Sequence, residues 1–248
     1  NAVAIAPTYS MYKVAAEIND VEVREVQLEE DFSLDADKLL AATDANTRLL
    51  WLCSPNNPTA NSFPTATIER IIREFAGIVV LDEAYIDFAA EPGFLSRLGE
   101  FPNLIVLQTL SKAWGMAGLR LGLAFADPLI VATLSNVKYP YNVNGPTQQT
   151  VLERLAGSPA AQVAEILSER RRVAAALQPM KVVRKLYPSD ANFVLVKVDE
   201  PRKVYDRLIA AGIIVRDRSR MQGCEGCLRI TIGTPEENTR LLEVMAQL

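Results

Sequence analysis

The stretch Asn103–Gly122, NLIVLQTLSKAWGMAGLRLG, opens as an apolar, β-branched run and closes among three glycines, with Lys112 and Arg120 eight residues apart. Such a run reads as a buried strand, and a charged amine just past its end reads as a side chain delivered to one edge of a sheet. Other runs break off in the same way: VAIAPTY (3–9), TRLLWLCSPNNP (47–58), GIVVLDEAY (77–85) and LRLGLAFADP (119–128). Helical patterns lie between them, including SMYKVAAEIND (10–20) and TATIERIIREFA (65–76), where apolar residues recur three and four apart. This alternation predicts an α/β fold, a three-layer αβα unit around a mostly parallel sheet. Ligands of such sheets bind beyond the carboxyl ends of the strands, and Tyr9, Asn57, Asp82, Tyr85 and Lys112 all fall at or just after the end of an apolar run.

From about residue 158 the pattern changes. A long helix over SPAAQVAEILSERRRVAAALQPM (158–180) leads to a strand ANFVLVKV (191–198), a helix PRKVYDRLIAAG (201–212), a short strand IIVRD (213–217), a strand CLRITIG (227–233) and a closing helix PEENTRLLEVMAQL (235–248). This predicts a smaller α+β C-terminal domain over 158–248, beside a large domain over 1–157. YPYNVNGPTQQT (139–150), crowded with proline, glycine and amides, reads as the connection. The basic run SERRRVAAAL (168–177) reads as a solvated helix face.

The 248 residues are 49% hydrophobic and 23% charged, with a formal net charge of -4. An acidic balance of this kind offers no net attraction to nucleic acid or an anionic membrane, so small molecules are the expected partners. No histidine occurs in the chain. That excludes Ser-His-Asp and Cys-His hydrolases and removes the commonest metal ligand, so no metal site is expected. Of three cysteines, Cys224 and Cys227 form a lone CEGC pair, a poor zinc signal without a second pair, and the set suits a reducing compartment better than a disulfide framework. No run of 18 apolar residues and no signal-peptide pattern is visible, which fits a cytoplasmic protein. The opening NAVAIAPTY lacks methionine and reads as a strand already in progress, so the sequence is expected to be a fragment.

The strand-end residues suggest one chemistry. A lysine near other polar groups and out of bulk water has its pKa lowered, which makes Lys112 a nucleophile toward a carbonyl. Asp82, a carboxylate ending a buried strand, must find a cationic partner or else become protonated, and a pyridinium nitrogen would be such a partner. Tyr85 stands three residues on, and Asn57 sits in a loop stiffened by prolines, where its amide can donate to a phenolate oxygen. Thr109, Ser111 and Arg120 supply two hydroxyls and a permanent cation, a set suited to a phosphate monoester. An amine for an aldehyde, an acid for a ring nitrogen, donors for an oxyanion and a basic pocket for a phosphate together match pyridoxal 5'-phosphate.

CSPNNPTA (53–60), DEAYIDF (82–88), TLSKAWGMAGLRLG (109–122), NFVLV (192–196) and GCLRITIGTPEEN (226–238), in this order and spacing, resemble the fold type I pyridoxal-phosphate aminotransferases, and within them the histidinol-phosphate aminotransferase family. The resemblance implies that Lys112 links covalently to the cofactor aldehyde and later shuttles the substrate proton. It implies that Asp82 keeps the pyridine nitrogen protonated, that Asn57 and Tyr85 hydrogen-bond the ring oxygen, and that Tyr9 stacks on the ring. Thr109, Ser111 and Arg120 would hold the phosphate. Arg229 looks like the arginine that grips the carboxylate of glutamate or 2-oxoglutarate, with Arg216 nearby so that the same site holds the phosphate of histidinol phosphate. A homodimer in histidine biosynthesis follows from the family. Its N-terminal part, with a Gly-rich phosphate turn and a tyrosine that crosses to the partner subunit, lies outside this sequence. Its loop motif usually ends in glycine where this chain has Ala60; a left-handed backbone there would strain alanine by roughly 1 kcal/mol. The competing readings are an aromatic amino acid aminotransferase, an amino-acid-phosphate decarboxylase of the same fold, and a catalytically silent interaction module.

Overall fold

The computed structural model describes residues 1–248. Six strands, β1 (Ala2–Ala6), β2 (Val23–Gln27), β3 (Leu49–Cys53), β4 (Ile78–Asp82), β5 (Leu104–Thr109) and β6 (Gly122–Ala126), form one sheet in the order β2-β1-β3-β4-β5-β6. All neighbours pair in parallel except β5 and β6, which are antiparallel. The apolar runs explain the arrangement. Val79, Val80 and Leu81 of β4 are buried, and each such side chain contributes about 1.5–3 kcal/mol relative to leaving it in water. Flanking helices supply the rest of that core. In α3 (Thr65–Glu74), Ile68, Ile71 and Ile72 are buried at helical spacing and join Leu50, Leu52, Val79, Leu81 and Val106 in one cluster. Also helical in this half are α1 (Met11–Ile18), α2 (Ala36–Ala41), α4 (Pro128–Val137) and α5 (Gly145–Leu155).

A second, four-stranded sheet is antiparallel throughout, with β7 (Val183–Leu186), β8 (Phe193–Val198), β9 (Arg216–Asp217) and β10 (Cys227–Thr231) in the order β7-β8-β10-β9. The helices α6 (Ala160–Leu177), α7 (Pro201–Ala210) and α8 (Pro235–Met245) share its core, in which Val173, Leu177, Val204, Leu208, Leu241 and Met245 meet Val194, Val196, Leu228 and Ile230. α8 starts on a capping box, Thr234 with Glu237, and has Pro235 at its first turn.

The connecting segment 139–150 turns helical at its end: α5 begins at Gly145, capped by the Asn144 side chain, and Val151 packs on Leu110 and Met116 beside β5. One local expectation needs correcting: the basic run 168–177 is not a purely solvated face. Arg170 Nη1 donates to Ala191 O at 2.8 Å and to Phe88 O at 3.3 Å, stitching α6 to both halves of the chain. Glu169 is buried and paired with Arg172 at 2.6 Å, a contact that fixes its carboxylate toward α8.

Asn238 completes that tie. Buried at the start of α8, it donates from Nδ2 to Glu169 Oε2 (2.8 Å) and Gly233 O (3.0 Å), and its Oδ1 accepts from Gly233 N (2.9 Å). Truncating it leaves buried polar groups without partners, which is costlier than losing an exposed hydrogen bond. Asn238→Ala is therefore expected to destabilise the fold by about 2–3 kcal/mol, read as a lower urea midpoint with an unchanged denaturant slope.

Candidate active site

The parallel strands set the position of the site. β1, β3, β4 and β5 run the same way, and the register pairs Cys53 with Asp82 and Asp82 with Leu107, so their carboxyl ends form one edge. β1 has β2 on one side and β3 on the other, so the chain order reverses at β1/β3, the crevice where open α/β sheets bind ligands. A cleft of about 800 Å³ opens there, and its wall contains all ten residues singled out from the sequence: Tyr9, Asn57, Asp82, Tyr85, Thr109, Ser111, Lys112, Arg120, Arg216 and Arg229.

At the floor, Asp82 is largely buried. Its Oδ2 accepts from Tyr12 Oη at 2.6 Å and its Oδ1 from Ala84 N at 3.0 Å, and no salt bridge of the chain includes it. Burial pushes the Asp82 carboxyl above its usual pKa, against the pull of these two donors and of Lys112. A cation at the free face of the carboxylate would reverse that shift. The next residue, Glu83, is used differently. Strand alternation turns it away from Asp82, and its carboxylate accepts from Phe94 N (2.6 Å) and Gln108 Nε2 (3.0 Å), fixing a loop.

Lys112 stands three residues past β5, in a turn closed by Gly115 N to Lys112 O and Met116 N to Leu110 O. Its ammonium is half-buried and lies 5.3 Å from the centre of the Tyr85 ring. Burial lowers its pKa first, the Arg229 and Arg120 charges lower it further, and Asp82 opposes them. Burial likewise pushes the Tyr85 phenol up to about 12. Thr109 and Ser111 meet through their hydroxyls at 2.9 Å, and the Thr109 hydroxyl also accepts from Ser111 N. Arg120 is left-handed (φ 55°, ψ 41°), a conformation that arginine adopts only where its surroundings hold it, and its Nη1 is tied back to Ala117 O at 3.0 Å.

The loop after β3 rests on Asn56, a residue that sequence reasoning does not single out. Fully buried, it donates to Pro7 O and Thr59 Oγ1, accepts from Thr8 Oγ1, and closes its turn through backbone bonds to Ala60 and Asn61. This presents Asn57 to the cleft, where its Oδ1 accepts from Arg229 Nη1 at 2.7 Å and leaves Nδ2 as the remaining donor. Ala60 is left-handed at φ 72° and fully buried, so the expected strain is present. Its methyl sits in a small cluster with Tyr85, Phe88, Ala113, Ala191 and Phe193.

Tyr9 is 43% exposed and meets Tyr12 edge-on at 5.6 Å, so its ring faces the cleft rather than a core. Tyr12 itself, stacked on Trp51 at 4.7 Å, escapes sequence reasoning because nothing in its own segment reveals that its hydroxyl reaches a carboxylate 70 residues away. Cys53, Arg218 and Met221 also line the cleft. Cys224 and Cys227 pack as core side chains with Phe32, Tyr187 and Leu195, and burial pushes their thiols up to about 12 and about 11.

The residues present fit pyridoxal phosphate on their own chemistry. The cleft brings together a half-buried amine, a buried carboxylate with no cation, a free amide donor beside a phenol, and two hydroxyls next to an arginine. The buried Arg229 Nε has no hydrogen-bond partner, which leaves a donor suited to an anion.

A family model described as "Aminotransferase class I and II" matches residues 1–245. The histidinol-phosphate aminotransferase of Parabacteroides distasonis is 53% identical over 248 residues, covering 99% of this chain and 72% of that protein. Among solved structures, the histidinol-phosphate aminotransferase of Clostridium acetobutylicum matches with a TM-score of 0.93 at 22% identity, over 99% of this chain and 77% of that one. The Sinorhizobium meliloti enzyme, in complex with pyridoxal-5'-phosphate, matches with a TM-score of 0.88 at 24% identity, over 99% and 69%. The two structures share the fold, and the sequence relationship is stronger still: the chain belongs to the class I and II aminotransferases, in their histidinol-phosphate aminotransferase branch.

Proposed function

We propose that this chain transfers an amino group between histidinol phosphate and 2-oxoglutarate with pyridoxal 5'-phosphate, giving imidazole acetol phosphate and glutamate, as a step of histidine biosynthesis. The observation that carries the reading is the convergence, on one cleft, of Lys112 and Asp82 with Arg216, Arg218 and Arg229. Bound there, the cofactor supplies an aldehyde to hold the amino group and a cationic ring to withdraw electrons.

Lys112 Nζ would hold the cofactor through its aldehyde carbon and, once freed by substrate, would take the proton from the substrate Cα and deliver it to the former aldehyde carbon. Burial and the neighbouring Arg229 charge lower its pKa, which favours the free amine. Asp82 would serve as the counter-ion of a protonated ring nitrogen, with Tyr12 and the Ala84 amide orienting its carboxylate. Asn57 Nδ2 and the Tyr85 hydroxyl would donate to the ring oxygen, Tyr9 would stack on the ring, and Thr109, Ser111 and Arg120 would hold the phosphate. Arg229 and Arg216, directly paired across β10 and β9, bind the acidic end of either substrate. The same reading takes residues 1–157 as the cofactor domain and 158–248 as the smaller domain, and makes the protein a cytoplasmic homodimer. No helix is long and apolar enough to cross a membrane.

Turnover of histidinol phosphate with 2-oxoglutarate, and at least tenfold less with phenylalanine, tests the substrate; preference for phenylalanine overturns it. Borohydride reduction of the cofactor-loaded chain is expected to add the cofactor mass to the peptide carrying Lys112. Lys112→Ala should lose that label and at least about 10²-fold in turnover, the scale of a positioned general acid–base group.

The pH dependence has a sign fixed by the neighbours. Arg229 lowers the Lys112 pKa, so Arg229→Gln should move the titration of Lys112 to higher pH; Asp82 raises it, so Asp82→Asn should move it to lower pH. The pH profile of Lys112 labelling by a small electrophile in the chain stripped of cofactor reads both shifts. Movement of the two in the same direction would contradict the geometry.

A further inference from the structure

We propose that Arg218, a residue no motif singled out, is a specificity-determining side chain that selects a doubly charged phosphate over a carboxylate at the substrate end of this cleft. The inference rests on the aminotransferase function proposed above.

Three observations carry it. The cleft wall holds five cations, Lys112, Arg120, Arg216, Arg218 and Arg229, against a single carboxylate, Asp82, in a chain whose net charge is -4. None of these arginines takes part in a salt bridge anywhere in the chain, and the buried Nε atoms of both Arg218 and Arg229 lack any partner. The acid beside Arg218 does not neutralise it: the Asp217 carboxylate is turned to accept from Ser219 N at 2.8 Å. Arg218 and Arg229 are both half-buried, the Arg218 Nη1 reaches only the Asp217 carbonyl at 3.4 Å, and a desolvated guanidinium donor without an anion favours an anionic ligand.

The backbone aims Arg218 at the same place as its neighbours. Arg218, the residue after β9, lines the cleft together with Arg216, which pairs directly with Arg229 on β10. Both charges act on Arg229, helping to hold its pKa down after burial, which places the three guanidiniums in one field. The hairpin that carries Arg218 is fixed. Arg218 N donates to Cys227 O and its carbonyl accepts from Met221 N, both at 2.9 Å, and Cys224 and Cys227 anchor the turn in a small apolar core. Gly223, left-handed at φ 79°, lies against Pro7, the residue after β1, so the turn is tied to the first sheet.

A carboxylate has one charge and two oxygens, and two guanidiniums satisfy it. A phosphate monoester carries close to two charges and three terminal oxygens, so a third fork adds a charge-assisted bond that only the phosphate can use in full. Arg229 has already committed Nη1 to Asn57, which raises the share left to Arg216 and Arg218.

The test uses the cofactor-loaded full chain and follows each half-reaction separately by the cofactor's absorption. Arg218→Gln is expected to lower kcat/KM for histidinol phosphate by about 10- to 100-fold, mainly through KM, and that for glutamate by less than about threefold. Arg218→Lys, which keeps the charge and loses the fork, should recover part of the loss. Inorganic phosphate, competing in the glutamate half-reaction, should inhibit the wild type more strongly than Arg218→Gln. Equal losses on both substrates, or unchanged phosphate inhibition, overturn the proposal. A wild type that ignores histidinol phosphate, yet loses phosphate inhibition on Arg218→Gln, keeps the dianion site and overturns the substrate assigned above instead.

Discussion

The hydrogen bond from Arg229 Nη1 to Asn57 Oδ1 joins residues 172 positions apart and closes the cleft between the two sheets. On one side it depends on Asn56, whose buried amide shapes the turn that presents Asn57. On the other it depends on the β8–β10 ladder, in which Arg229 lies opposite Leu195, and on Phe193, over whose ring the guanidinium sits at 4.8 Å. The aromatic face and the amide oxygen stabilise a cation that burial alone would disfavour. Further ties cross at the same level: the Asp190 carboxylate accepts from Ser62 N, the Asp190 amide donates to Ala60 O, and the Tyr85 and Phe193 rings meet edge to face at 5.1 Å. The cleft is thus a joint product of both sheets, the first supplying its acid, amine and Arg120 and the second three further arginines.

That charge is unevenly distributed. The single acid of the cleft, Asp82, sits at its floor with two neutral donors, and burial raises its pKa because no cation of the protein pairs with it. The cations sit around the rim and walls, and burial first, then the charges of Arg229 and Arg120, lower the pKa of the one amine among them. A site left in this condition costs stability, since desolvated charges of like sign are gathered without counterions. The arrangement is relieved when a molecule with a positive ring and negative substituents enters, so the same residues that weaken the unliganded fold favour binding.

Much of this is legible in the sequence. The strand ends at Asp82 and Thr109, the alternation of apolar runs with helical patterns, and the residues that follow each run come from local periodicity, because a strand's inward face must be apolar and its end must turn. Most of the ten candidate residues of the cleft are readable for the same reason, lying at or just beyond the end of an apolar run; Arg120 stands at the start of one and Arg229 is a charge inside one. Contacts that cross elements are not readable in this way. Tyr12 looks like any aromatic on a helix, yet it holds Asp82; Arg170 looks like a solvated face, yet it caps carbonyls of two separate segments.

The sequence by itself determined the parallel sheet and the chemical types available at its edge, since those follow from composition and spacing along one chain, and its motifs carried the resemblance to the family. Only the tertiary structure decided which charges are left without partners, that Ala60 takes a left-handed backbone, and that Arg218 joins Arg216 and Arg229 on one wall. The physical reason is range. Periodicity records what each residue meets within its own element, whereas the partner of a buried charge is set by which distant strands and turns are brought within hydrogen-bonding distance of it.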